Sequence, residues 1–96
     1  MTDMEELKDF ILRKFSENVG LSQEALLGED LTLAALITRS ERMTNSVDLM
    51  EAFARTSNAL RKGYSIRVRL PALALDTPVS EVMAVFVEEV MQGRVA

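Results

Sequence analysis

The 96 residues are 48% hydrophobic with a formal charge of -4 and a pI near 4.8, which suits one folded unit around a modest core and disfavours disorder or a polyanionic partner such as nucleic acid. Cysteine and histidine are both absent, so disulfides, thiolate metal sites, a protein-borne nucleophilic thiol and the usual general base are excluded. No apolar run is long enough to span a bilayer, and the carboxylate-rich opening MTDMEELKDF lacks the positive charge of an export or mitochondrial leader, so a cytoplasmic monomer without membrane attachment is expected.

From Met4 to Val19, Leu7, Phe10, Ile11 and Phe15 recur at helical spacing among charged residues, and Gly20 supplies a stop. Ser22 then reads as the N-cap of one short turn in LSQEALL. The following GEDLTLAALITRSERM is ambiguous, since Leu31, Leu33, Leu36 and Ile37 suit a helical turn or a packed loop, and it is expected as a long, partly ordered connection. A second long helix is predicted from Ser46 to about Gly63 on the repeat Val47, Met50, Phe53, Ser57 and Leu60. YSIRVRLP alternates like a strand, with Tyr64, Ile66, Val68 and Leu70 against Ser65, Arg67 and Arg69. It has no comparable segment to pair with, so an extended connection packed along one face is expected. Thr77 as N-cap and Pro78 at the first helical position predict a third long helix with Val79, Val82, Met83, Phe86, Val87 and Val90 on a broad apolar face, ended by Gly93. The expectation is an all-α single domain over residues 1–96, with three longer helices and one or two short ones.

Chemistry centres on Ser46. A serine opening an amphipathic helix is often an N-cap. As a hydrolytic nucleophile it lacks a partner, because the chain has no histidine and no Ser-x-x-Lys. Glu81, Glu88 and Glu89 diverge around one helix and read as a solvated face, so neither a catalytic nor a metal site is expected. The methionines, including Met43, Met50, Met83 and Met91, read first as core filling and second as an adaptable groove.

The run Asn45-Ser46-Val47-Asp48-Leu49-Met50-Glu51 resembles the attachment motif of the acyl carrier protein family, with Asn45 and Val47 standing where the family has Asp and Leu. The likeness extends to LKDFILRKFSENVGLSQEALL, similar to the family's first helix and short turn. It also takes in YSIRVRLPALALDTPVSEVMAVFVEEV, which looks like its extended segment, short third helix and last helix. The resemblance implies a small four-helix bundle, itself no enzyme, carrying 4'-phosphopantetheine from coenzyme A on Ser46. A phosphopantetheinyl transferase attaches that arm, and acyl-loading and synthase enzymes of fatty-acid, polyketide or peptide assembly would be its partners. Asn45, Val47, Asp48, Met50 and Glu51 would lie at the docking surface. Ser40 is the other candidate serine, but its neighbours Arg39, Glu41 and Arg42 fit the motif badly. Arg55, Arg61, Lys62, Arg67 and Arg69 make the charge more mixed than in fatty-acid carriers, which favours secondary metabolism. Two other readings stand beside this one. The first is an unmodified helical adaptor in which Ser46 only caps a helix. The second is a DNA-binding helical pair, which the net charge opposes.

Overall fold

The computed structural model describes residues 4–93 other than 69 and 71. Among these, five helices follow one another: α1 (Met4–Val19), α2 (Gln23–Gly28), α3 (Leu33–Arg39), α4 (Ser46–Tyr64) and α5 (Val79–Gly93). The protein is all-α, with three long helices and two short ones and no strand among the described residues. α1 has the predicted limits and buries Leu7, Ile11, Phe15 and Val19, a stripe with a four-residue repeat. It stops at Gly20, where φ is +75° and the N–H groups of Gly20 and Leu21 both return to the Ser16 carbonyl at 2.9 and 3.3 Å. α2 starts as predicted, with Ser22 Oγ accepting from the Ala25 N–H at 3.1 Å.

The stretch expected as a partly ordered connection contains α3, which is a correction. Thr32 caps it by accepting from the Ala35 N–H at 3.1 Å, and Leu33 and Leu36 are buried. Its first backbone N–H groups, on Leu33 and Ala34, donate to the carbonyls of Thr77 and Leu75 at 3.0 and 2.9 Å. The helix is therefore begun by carbonyls more than forty residues away in the chain, which no local pattern reveals. The Thr77 N–H in turn closes a turn onto the Ala74 carbonyl at 3.0 Å. The short helix that the resemblance implies after the extended segment is absent among the described residues, both short helices lying before α4 instead. Thr77, as the residue before a proline, is in any case biased away from helical backbone.

α4 runs past Gly63 to Tyr64, and Ser65 takes the left-handed capping conformation (φ 56°) while its N–H returns to the Leu60 and Arg61 carbonyls. Beyond it Ile66 is buried, Arg67 exposed and Val68 and Leu70 half-buried against the core, the packed extended connection that was expected. Arg69 and Pro71 lie outside the described residues.

α5 begins one residue later than predicted. Pro78 serves as the flanking residue, its carbonyl accepting from Val82 at 3.1 Å, while Val79 donates to the Leu31 carbonyl at 2.8 Å. The cap comes from Asp30 instead of Thr77. Its two carboxylate oxygens accept from the Ser80 N–H at 3.0 Å and the Ser80 hydroxyl at 2.9 Å. Asp30 does this from a left-handed backbone (φ 46°), which Asp and Asn tolerate better than most residues. Asp30→Ala is expected to lower unfolding free energy by about 1 kcal/mol in urea titrations, the usual worth of an N-cap.

The core lies where α1, α4 and α5 meet. Phe53 stacks on Phe15 with centroids 5.4 Å apart and meets Phe86 at 6.2 Å, joining all three helices. Thr56 is fully buried in the α1/α4 seam and satisfied: its hydroxyl donates to the Ala52 carbonyl at 2.9 Å and accepts from Asn18 at 3.0 Å. Phe10 meets Tyr64 edge-on at 4.9 Å, so α1 and α4 run antiparallel.

Candidate functional site

The start of α4 gathers the residues the motif singled out. Asn45 has an extended backbone (φ -161°), from which its side-chain oxygen accepts from the N–H groups of Val47 at 2.9 Å and Asp48 at 3.3 Å. Asn45 is thus the N-cap, and the reading of Ser46 as the cap is corrected. Ser46 occupies the first helical position, one residue too late to reach those donors. It is exposed, and its hydroxyl makes no hydrogen bond among the described residues. Asn45→Ala is expected to cost about 1 kcal/mol of stability by thermal or urea melting.

Asp48 turns back over the cap. Its Oδ2 accepts from both the backbone N–H and the hydroxyl of Thr44, each at 2.8 Å, closing a variant of the capping box. The Thr44 N–H, followed by the Thr44 hydroxyl, holds the Asp48 carboxyl below its ordinary range. Glu29 is held low in the same sense, first by its two-pronged hydrogen bond to Arg39 (2.8 and 3.1 Å) and then by that residue's charge. A carboxyl with a depressed folded-state pKa stabilises above its unfolded pKa and loses that contribution as pH falls through the folded value. The melting temperature should therefore hold steady above about pH 5 and decline below about pH 4. Asp48→Asn and Glu29→Gln should each flatten the decline in a pH series of thermal melts, by a small amount because both pairs are exposed.

The buried stripe of α4 is Leu49, Ala52, Thr56 and Leu60, with Phe53 half-buried. The predicted line through Val47, Met50 and Ser57 is therefore rotated from the true one. Val47 and Met50 point outward, 59% and 67% exposed. Residues three and four apart share a helix face, so Ser46, Val47, Met50 and Glu51 form one surface patch, with Asn45 and Asp48 occupied in holding its base.

Residues 40–43 fasten this helix start to the end of α1. Ser40, the alternative candidate, is 5% exposed; its hydroxyl donates to the Val19 carbonyl and accepts from the Arg42 N–H at 3.2 Å. Arg42 donates to the Glu17 carbonyl at 2.7 Å, and Met43 is buried. The last turn of α1 contains no basic residue of its own, and Arg42 supplies the positive group that suits exposed C-terminal carbonyls. Sequence reasoning missed these roles because they join segments more than twenty residues apart.

Glu81 and Glu88 are exposed and Glu89 half-buried, and no group of three potential ligands converges on a metal position among the described residues. No described helix is long and apolar enough to cross a membrane. No protein-family model matches the chain, and neither the curated proteins nor the solved structures hold a match to it.

Proposed function

We propose that the chain is a cytoplasmic carrier of the acyl carrier protein type, modified on Ser46 and handing thioester-linked acyl groups between enzymes of fatty-acid, polyketide or related biosynthesis. The observation that carries this reading is the free, exposed hydroxyl of Ser46 at the head of a long helix, relieved of capping by Asn45 and bordered by exposed Val47 and Met50. The adaptor reading in which Ser46 only caps the helix loses that support. In the attachment step Ser46 Oγ attacks the pantetheine-bearing phosphorus of coenzyme A. The bond from that phosphorus to the adenosine bisphosphate breaks, the bisphosphate leaves, and the hydroxyl proton passes to a base of the phosphopantetheinyl transferase. The base is the transferase's, since the Ser46 hydroxyl makes no hydrogen bond to any group among the described residues.

The added phosphodiester would sit beside the α4 N-terminus, where the helix dipole favours negative charge. Once attached, phosphopantetheine supplies the thiol that this cysteine-free chain lacks. Val47 and Met50 offer apolar contact to the transferase and synthase enzymes, and Glu51 offers charge to a basic rim. The arrangement of the short helices differs from what the resemblance implies, so the reading rests on the start of α4. The test is intact-protein mass spectrometry after incubation with coenzyme A, magnesium and a broad-specificity transferase. A gain of one phosphopantetheine is expected, faster in Asn45→Asp, which keeps a capping oxygen and restores a charge. A folded protein that stays unmodified in both forms would refute the carrier and leave α4 as an unmodified docking helix.

A further inference from the structure

We propose that the seam between α1 and α5 is a docking groove for a basic amphipathic helix of another protein. α5 carries two apolar stripes. Val79, Val82, Phe86 and Val90 are fully buried, while Met83, Val87 and Met91, spaced four residues apart, form a second stripe that the core leaves half-covered or exposed. With Leu12 of α1 and Leu27 at the end of α2, this stripe lines a cavity of about 590 Å³. Leu27 and Met91 remain 41% and 54% exposed. An ordinary surface helix has one such stripe and a polar back, so the second one is unaccounted for by the packing of the described residues.

Charge selects the occupant. Asp9 on α1 and Glu88 on α5 stand on opposite rims, and neither makes an ion pair among the described residues. Lys8, the cation on the groove wall, lies 4.0 Å from Glu5. α5 carries Glu81, Glu88 and Glu89 and no Lys or Arg. From Ser80 to Met91 the groove follows α5 for about 17 Å, three turns, which fits one helix of about that length with apolar residues at i, i+4 and i+7 and cations on both flanks. Unbranched methionine side chains adapt to such a ligand. Two copies of the chain joined groove to groove about a two-fold axis would bring the acidic rims together, which opposes a symmetric dimer. The same rims disfavour a fatty-acid carboxylate or an anionic membrane. The proposal is independent of the Ser46 modification, because the groove borders the N-terminal half of α1, near Tyr64 at the far end of α4.

The test titrates the isotope-labelled full chain with a synthetic Leu/Lys peptide of about fourteen residues patterned at helical spacing, followed by amide NMR shifts. Saturable shifts are expected at Lys8 to Leu12, Leu27 and Ser80 to Met91. A scrambled peptide of the same composition and a Leu/Glu peptide of the same pattern should each bind at least about ten-fold more weakly. The double variant Asp9→Lys, Glu88→Lys, both at exposed positions, should keep its melting behaviour and reverse the preference between the Lys and Glu peptides. No saturable shifts, equal affinity for the peptides, or shifts confined to Val47 and Met50 would overturn the proposal. Concentration-dependent shifts of the groove amides without peptide would give the groove to a second copy. Shifts with dodecanol but with no peptide would make it a lipid site, and either result overturns it too.

Discussion

Ser46→Ala is expected to abolish phosphopantetheine attachment completely while leaving stability within about 0.5 kcal/mol of the parent. The two halves of this expectation have separate causes. Attachment needs the hydroxyl oxygen itself, and the nearby exposed hydroxyl, that of Thr44, is engaged by Asp48. Stability does not need it, because the oxygen makes no hydrogen bond among the described residues and alanine is the better helix former at that position. Ser40→Ala should show the opposite pair of results. Removing its hydroxyl strands the Val19 carbonyl and the Arg42 N–H in a buried place, at a cost of about 1–3 kcal/mol. Attachment at Ser46 should survive wherever that variant is still folded. Mass spectrometry and urea denaturation on the same two preparations check all four outcomes, and attachment lost in Ser40→Ala but kept in Ser46→Ala would reverse the assignment.

Phe15→Ala is expected to be a severely damaging truncation, lowering unfolding free energy by about 3–5 kcal/mol. The side chain is fully buried in the middle of α1, and it stacks on Phe53, which in turn leans on Phe86. Its loss opens a cavity at the junction of three helices that cannot collapse without moving one of them. A chain of this size has about 5–14 kcal/mol in total, so the variant should unfold at much lower urea, or be partly unfolded in buffer. Phe15→Leu keeps most of the volume and should lose about 1.5 kcal/mol or less. Combining Phe15→Ala with Phe53→Ala should give less than the sum of the two single effects, because they share one contact.

The long helices were legible because their patterns are local. α1 follows a charged surface and a four-residue apolar repeat to a glycine stop, the α4 cap lies one residue from the serine that signals it, and Pro78 marks the α5 start to within a residue. What escaped was set at a distance. α3 is seven residues long and is begun by the Leu75 and Thr77 carbonyls, and α5 is capped by an aspartate 50 residues earlier. The phase of α4 differs from the apolar repeat because its buried face includes the small Ala52 and the polar Thr56, whereas the large apolar Val47 and Met50 lie on the surface. Val47 and Met50 thus belong both to the predicted apolar repeat and to the docking surface the resemblance implies, and the structure leaves both side chains exposed. Asn45 departs from the attachment motif that the run resembles, and the structure gives it the capping task, which leaves the serine free.

The antiparallel pairing of α1 with α4 also separates the molecule into two poles. From Ser46 to Tyr64 the helix runs about 27 Å along a molecule 37 Å in its longest dimension. Tyr64 donates to Glu6 at 3.4 Å, and Glu5 shares a cavity wall with Met91. Glu6 and Tyr64 thus mark a pole remote from the serine. A fluorophore attached beside Glu6 or Tyr64 would stand at the pole opposite Ser46. It would crowd the mouth of the α1/α5 groove before it hindered any enzyme approaching the serine.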